Sequence, residues 1–113
     1  MKIYKFLIKT SEMLPNVGQY NGYVAIPKEH PYFEKSYWDI KDIEIHGGLT
    51  LSEELEDFVP EIIEWIGEQP ENLDNYWVFG FDTCHYGDNS TNWNKDNVIK
   101  EVERLEQQLL EIS

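Results

Sequence analysis

The sequence predicts an α+β fold: a small, mostly antiparallel sheet of about four strands, with an amphipathic acidic helix and a C-terminal helix packed on it. Three observations carry this. Short runs such as Tyr76-Trp77-Val78-Phe79-Gly80-Phe81 have strand length and strand composition. Leu55, Phe58, Val59, Ile62, Ile63 and Ile66 recur at helical spacing. Val98, Val102, Leu105, Leu109 and Ile112 do so again near the C-terminus. The 113 residues suit one domain, 1–113, with a single core.

Each element has its own local reason. In residues 2–9 lysines alternate with apolar residues, as a first strand requires. Pro15 and Gly18 place a loop over 11–19. Tyr23-Val24-Ala25-Ile26 reads as a second strand, ended by Pro27. The segment from His30 to Trp38 is aromatic and turn-rich, and His30 beside Pro31 reads as structural. From Asp42 to His46 polar and apolar residues alternate, so a strand there puts Ile43 and Ile45 on one face and Glu44 and His46 on the other. Gly47-Gly48 then breaks the chain, and Leu49-Thr50-Leu51 resumes it as a short strand.

The stripe from Leu55 predicts a helix that starts or kinks at Pro60, which has no amide hydrogen to donate, and ends by Gly67 and Pro70. Residues 76–81 are apolar on both faces, which predicts an interior strand covered on both sides. A polar loop follows to Thr91. Asn94 is a good N-cap for the last helix, with Trp93 and Val98 at the positions of a hydrophobic staple.

Charge bounds the partners. The formal net charge is −13, with nine acids and no basic residue between Glu53 and Asp74. Such a field repels phosphate backbones, so direct nucleic-acid binding is not expected. It attracts basic protein surfaces, and Glu53, Glu54, Glu56, Asp57, Glu61, Glu64 and Glu68 are the candidate partner-binding residues. Solubility alone also accounts for such a charge. No apolar run is long enough to span a bilayer, and residues 1–9 are too short and charge-interrupted for a signal peptide. A cytoplasmic location is expected. The single cysteine, Cys84, excludes an internal disulfide and reads most simply as a small buried apolar residue.

The candidate site lies where two predicted strands end. His46, Gly47 and Gly48 close one; Asp82, His85 and Asp88 follow the other. A histidine oriented by a carboxylate suits proton transfer, so His46, His85 and Asp82 are the candidate catalytic groups if the protein has turnover. Those same three residues are the alternative ligand set for a divalent metal, although no cofactor is the first expectation. A ligand pocket would draw on His46, Gly47, Gly48, Asp82, His85 and Asp88, with the rings of Trp77 and Tyr86, and would suit a nucleotide-like small molecule. The same polar residues can instead satisfy one another, with Asp82 and Asp88 accepting backbone N–H bonds.

His46-Gly47-Gly48-Leu49-Thr50 and the run from Trp77 to Asp88, with Gly22-Tyr23-Val24-Ala25-Ile26-Pro27 and the C-terminal helix, resemble a group of small proteins of phage and prophage genomes. The resemblance spans most of the chain outside residues 53–74, which look like a variable acidic insert. It implies a genomic setting, the cytosol of a host cell, and by analogy an accessory protein, such as an anti-defence inhibitor, that sequesters host factors. No activity comes with it. The leading expectation is a protein that acts by binding, either a basic host protein surface or a nucleotide-like molecule. The alternatives are a metal- or His/Asp-dependent hydrolase of a phosphate-bearing or amide substrate, and a purely structural or interaction domain.

Overall fold

A computed structural model describes residues 1–10, 17–85 and 87–112. Five strands form one antiparallel sheet: β1 (Tyr4–Lys9), β2 (Tyr20–Pro27), β3 (Leu51–Glu54), β4 (Glu64–Ile66) and β5 (Tyr76–Phe81), in the order β3-β5-β2-β1-β4. One helix, α1 (Lys95–Glu111), completes the fold. The α+β class stands, with one strand more and one helix fewer than the sequence predicts. The first part of the expected 11–19 loop, residues 11–16, lies outside the described residues.

Side-chain alternation builds two cores. Leu7, Val24, Ile26, Phe79 and Phe81 point to one face and meet Val98, Val102, Leu105 and Leu109 of α1. Phe6, Tyr23, Ala25 and Val78 point to the other. The four α1 residues are fully buried. Each burial is worth about 1.5–3 kcal/mol, so packing outweighs the ~1 kcal/mol of the helix cap. That cap is present: the Asn94 side chain accepts the Asn97 N–H at 3.0 Å.

The expected acidic helix over 55–66 does not form. Two 3-10 turns, Leu55–Asp57 and Pro60–Ile62, lead into β4 instead. Pro60 disfavours helical angles at Val59, which is extended at φ −77° and ψ 112°. A regular helix over 55–66 would also stack Asp57 on Glu61 and Glu61 on Glu64, like charges four and three residues apart. The apolar stripe still does its work without the helix. Leu55, Phe58, Ile63 and Trp65 cover the second face of the sheet. Residues 53–74 therefore supply that layer and the edge strand β4.

The expected strand over 42–46 is also absent. Its alternation holds, since Ile43 and Ile45 pack into the first core and Glu44 is exposed. Its backbone, however, pairs with side chains of α1 in place of a strand. Gln108 Oε1 accepts the Glu44 N–H at 2.7 Å, and Gln108 Nε2 and Arg104 both donate to the Glu44 carbonyl. The buried Glu101 accepts the His46 N–H. Glu101, Arg104 and Gln108 lie at i, i+3 and i+7, one face of the helix.

Candidate functional site

The site forms where β5 ends, where the chain enters β3, and where α1 begins. The Thr50 N–H donates to the Gly80 carbonyl at 2.9 Å, which holds the His46–Thr50 loop beside the end of β5. Gly18 and Gln19 donate to the carbonyls of Thr83 and Trp93, tying both ends of the Asp82–Trp93 loop to the start of β2. Buried Thr83 adds a hydroxyl bond to the Tyr20 carbonyl at 2.9 Å.

Gly47 and Gly48 make the turn with φ +69° and +79°, a region where glycine carries no penalty. Gly47 has a second reason to be glycine. A Cβ there would lie 2.1 Å from the His85 ring. The bend thus brings the two histidines together, and their ring centroids are 5.2 Å apart, edge to face.

Asp88 is the hub, with its side chain almost fully buried. His46 Nε2 lies 2.9 Å from both of its carboxylate oxygens, and the His85 N–H donates to Oδ2 at 2.9 Å. Burial by itself would raise the Asp88 pKa; the hydrogen bonds from His46 and the His85 backbone, with the nearby imidazoles, bring it below the ordinary carboxylate value. The His46 ring also packs against Trp93, tilted by 35°, with centroids 4.1 Å apart.

His85 is less settled. Its Nδ1 lies 3.4 Å from Asp88 Oδ2 and 3.4 Å from Asp82 Oδ1, beyond good hydrogen-bonding distance from both. Among the described residues it is the one buried side-chain polar atom without a hydrogen-bond partner. One ligand atom from each of His46, His85 and Asp88 lies within 4.8 Å of the other two.

The structure thus gathers His46, Gly47, Asp82, His85 and Asp88. Asp82 also accepts the Cys84 N–H at 3.1 Å, the expected loop-holding bond. Asp88, not Asp82, makes the close pair with His46. Trp77 lies elsewhere: it sits near the opposite end of β5, opposite Ile26 and Glu54, with its indole donating to the Lys35 carbonyl at 2.9 Å. Tyr86 lies outside the described residues. Cys84 is exposed where a buried residue was expected. Partial burial and then the charges of Asp82 and Asp88 raise its pKa, which opposes a thiolate nucleophile. His30 is structural, as expected: its Nδ1 accepts the Tyr32 N–H at 2.9 Å, so Nε2 donates to the Leu109 carbonyl at 2.7 Å.

The sequence marks Trp93 only as part of a helix staple, and it does not single out Glu101. Glu101 had a signal, since it stands three residues after Val98 and four before Leu105, inside the apolar stripe. Comparison with protein-family models, curated proteins and solved structures gave no match. No described helix is long and apolar enough to cross a membrane.

Proposed function

We propose that this protein acts by binding, and that His46, His85 and Asp88, with Asp82, hold a divalent metal ion of the zinc class. The supporting observation is the orphaned Nδ1 of His85, 3.4 Å from one oxygen each of Asp82 and Asp88. Zn–N and Zn–O bonds of about 2.0–2.2 Å put tetrahedral ligand atoms about 3.3–3.6 Å apart. The His85 spacings match that separation, whereas a charge-assisted hydrogen bond would draw the same atoms to about 2.7–2.9 Å. A polar network alone leaves this nitrogen unsatisfied; a shared cation satisfies it. The ion takes His85 Nδ1 directly; His46 Nε2, which hydrogen-bonds to Asp88 at 2.9 Å, gives up that bond and its proton to ligate, and the carboxylates balance the charge of the ion. Glu101 on the His46 backbone and Trp93 on its ring supply the outer support that orients a ligand histidine.

Isothermal titration of Zn²⁺ into the chelator-stripped full chain, with Co²⁺ absorption as a spectroscopic reporter, tests this. One ion per chain is expected, with affinity at least about tenfold lower in His85→Ala and Asp88→Ala. Absence of Zn²⁺ and Co²⁺ binding, or equal binding by His85→Ala, overturns it.

A second reading concerns the acidic surface. Glu53, Glu54, Glu56, Asp57 and Glu61 are all exposed, whereas Glu64 and Glu68 already pair with Lys95 and Lys2. Asp74 above all, then partial desolvation, Glu54 and Asp57 raise the pKa of Glu56, a mark of uncompensated negative charge. This favours the Glu53–Glu61 stretch as the face offered to a basic host protein, such as the accessory role implied by the phage resemblance would need. Such binding falls steeply with salt and on neutralising Glu53, Glu54, Glu56 and Asp57 together. Pull-down with a basic partner that persists unchanged at high salt contradicts this reading.

A further inference from the structure

An open cavity of about 390 Å³ lies beside the Gly47–Gly48 turn. Tyr37, Trp38, Ile40, Lys41, Leu49 and Gly48 are among its lining residues, and no member of the His/Asp cluster is. Its volume falls in the range of small-molecule sites.

Three of its features bear on what it could hold. Trp38 is 70% exposed, more than any other large hydrophobic described. Its ring stacks on Tyr37 with centroids 5.1 Å apart, and the Ser52 and Ser36 hydroxyls accept the backbone N–H groups of Tyr37 and Trp38, which fixes the turn that carries both rings. Lys41 makes no ion pair with a described residue, although the chain has a net charge of −13. The carboxylate next to it in sequence, Asp42, is engaged by the Tyr32 hydroxyl at 2.8 and 2.7 Å. Gly48 leaves open space where a side chain would stand.

A flat, solvent-facing ring beside one unpaired ammonium and apolar walls calls for a planar aromatic group bearing an anion. We propose that this cavity binds a nucleoside monophosphate, its base stacked on Trp38 and its phosphate on Lys41. One ammonium in a strongly acidic protein matches a single phosphate; a triphosphate or a polynucleotide meets repulsion. The site is independent of the metal reading, because the two share no side chain.

The test is calorimetric and fluorescence titration of the full chain at low salt with adenosine monophosphate, adenosine, adenosine triphosphate, inorganic phosphate and a single-stranded oligonucleotide. The monophosphate is expected to bind saturably and tighter than the other four. Trp38→Ala lowers its affinity by about 5- to 150-fold, the range of one base–aromatic stack. Lys41→Gln weakens the monophosphate while leaving adenosine unchanged. Both residues are exposed, so circular dichroism should show both variants folded, and Zn²⁺ binding in them should equal that of the parent. No monophosphate binding by about 1 mM overturns the proposal, as does equal binding by Trp38→Ala, or tighter binding of the triphosphate, the oligonucleotide or inorganic phosphate.

Discussion

The α-carbon of Gly47 faces the imidazole of His85 so closely that a methyl group on it would lie 2.1 Å from the ring. Gly47→Ala must therefore strain a left-handed residue and push His85 away from Asp82 and Asp88. Gly48 shares the left-handed backbone but faces open space. Gly48→Ala is expected to cost about 1–2 kcal/mol, the left-handed penalty alone. Gly47→Ala should cost at least about 1 kcal/mol more, and should weaken metal binding where Gly48→Ala does not. Urea unfolding and Zn²⁺ titration of the two variants make the comparison. Equal costs would show that the contact with His85 is easily relieved.

Glu101 carries the backbone of His46 from the other side. Glu101→Ala leaves the His46 N–H without its acceptor and removes the Arg104 partner. A loss of about 1–3 kcal/mol is expected, with Glu101→Gln recovering most of it because an acceptor oxygen remains. Gln107→Ala, whose partner Glu111 is exposed, should stay within about 0.5 kcal/mol. Denaturant melts of the three variants give the ranking.

Asp88 makes stability depend on acid. Its folded pKa is below the ordinary value of 3.8, so the unfolded chain binds the proton more readily. Its contribution is therefore fully present above about pH 4–5 and is lost as pH falls through the lowered folded pKa. The parent protein should lose stability below about pH 4, and Asp88→Asn should show a shallower slope over the same window. Stability measured from pH 6 to pH 2 decides it; parallel curves would remove Asp88 from the cause.

His30 closes the far end of α1. Its replacement by alanine leaves the part-buried Tyr32 N–H without a partner and the Leu109 carbonyl with only the 3.3 Å bond from the Ile112 N–H. About 1–3 kcal/mol of destabilisation is expected, with Zn²⁺ affinity unchanged because the site is at the other end of the helix. A melt paired with a titration separates the two effects.

Some of this was legible along the chain and some was not. Strands β1, β2 and β5 and helix α1 are written in local pattern: alternation, an apolar run, a cap and a stripe. The convergence of His46, Asp82, His85 and Asp88 was also readable as a location, because the Gly47–Gly48 bend and the loop after β5 both carry glycine and polar residues together. The 55–66 stripe misled, since a period of three to four residues describes two 3-10 turns nearly as well as one helix. Only Pro60 and the spacing of acids argued against the helix.

By itself, then, the sequence determined which residues are apolar, where the chain must turn, and which groups could meet. Tertiary structure alone decided that the 42–46 segment is held by Glu101, Arg104 and Gln108 and not by a neighbouring strand. It alone decided that Asp88 rather than Asp82 holds His46, and that Trp77 stands apart. The reason is physical: hydrophobic period is a property of one segment, whereas a hydrogen-bond partner 42 to 64 residues away depends on how segments are placed after the core has formed.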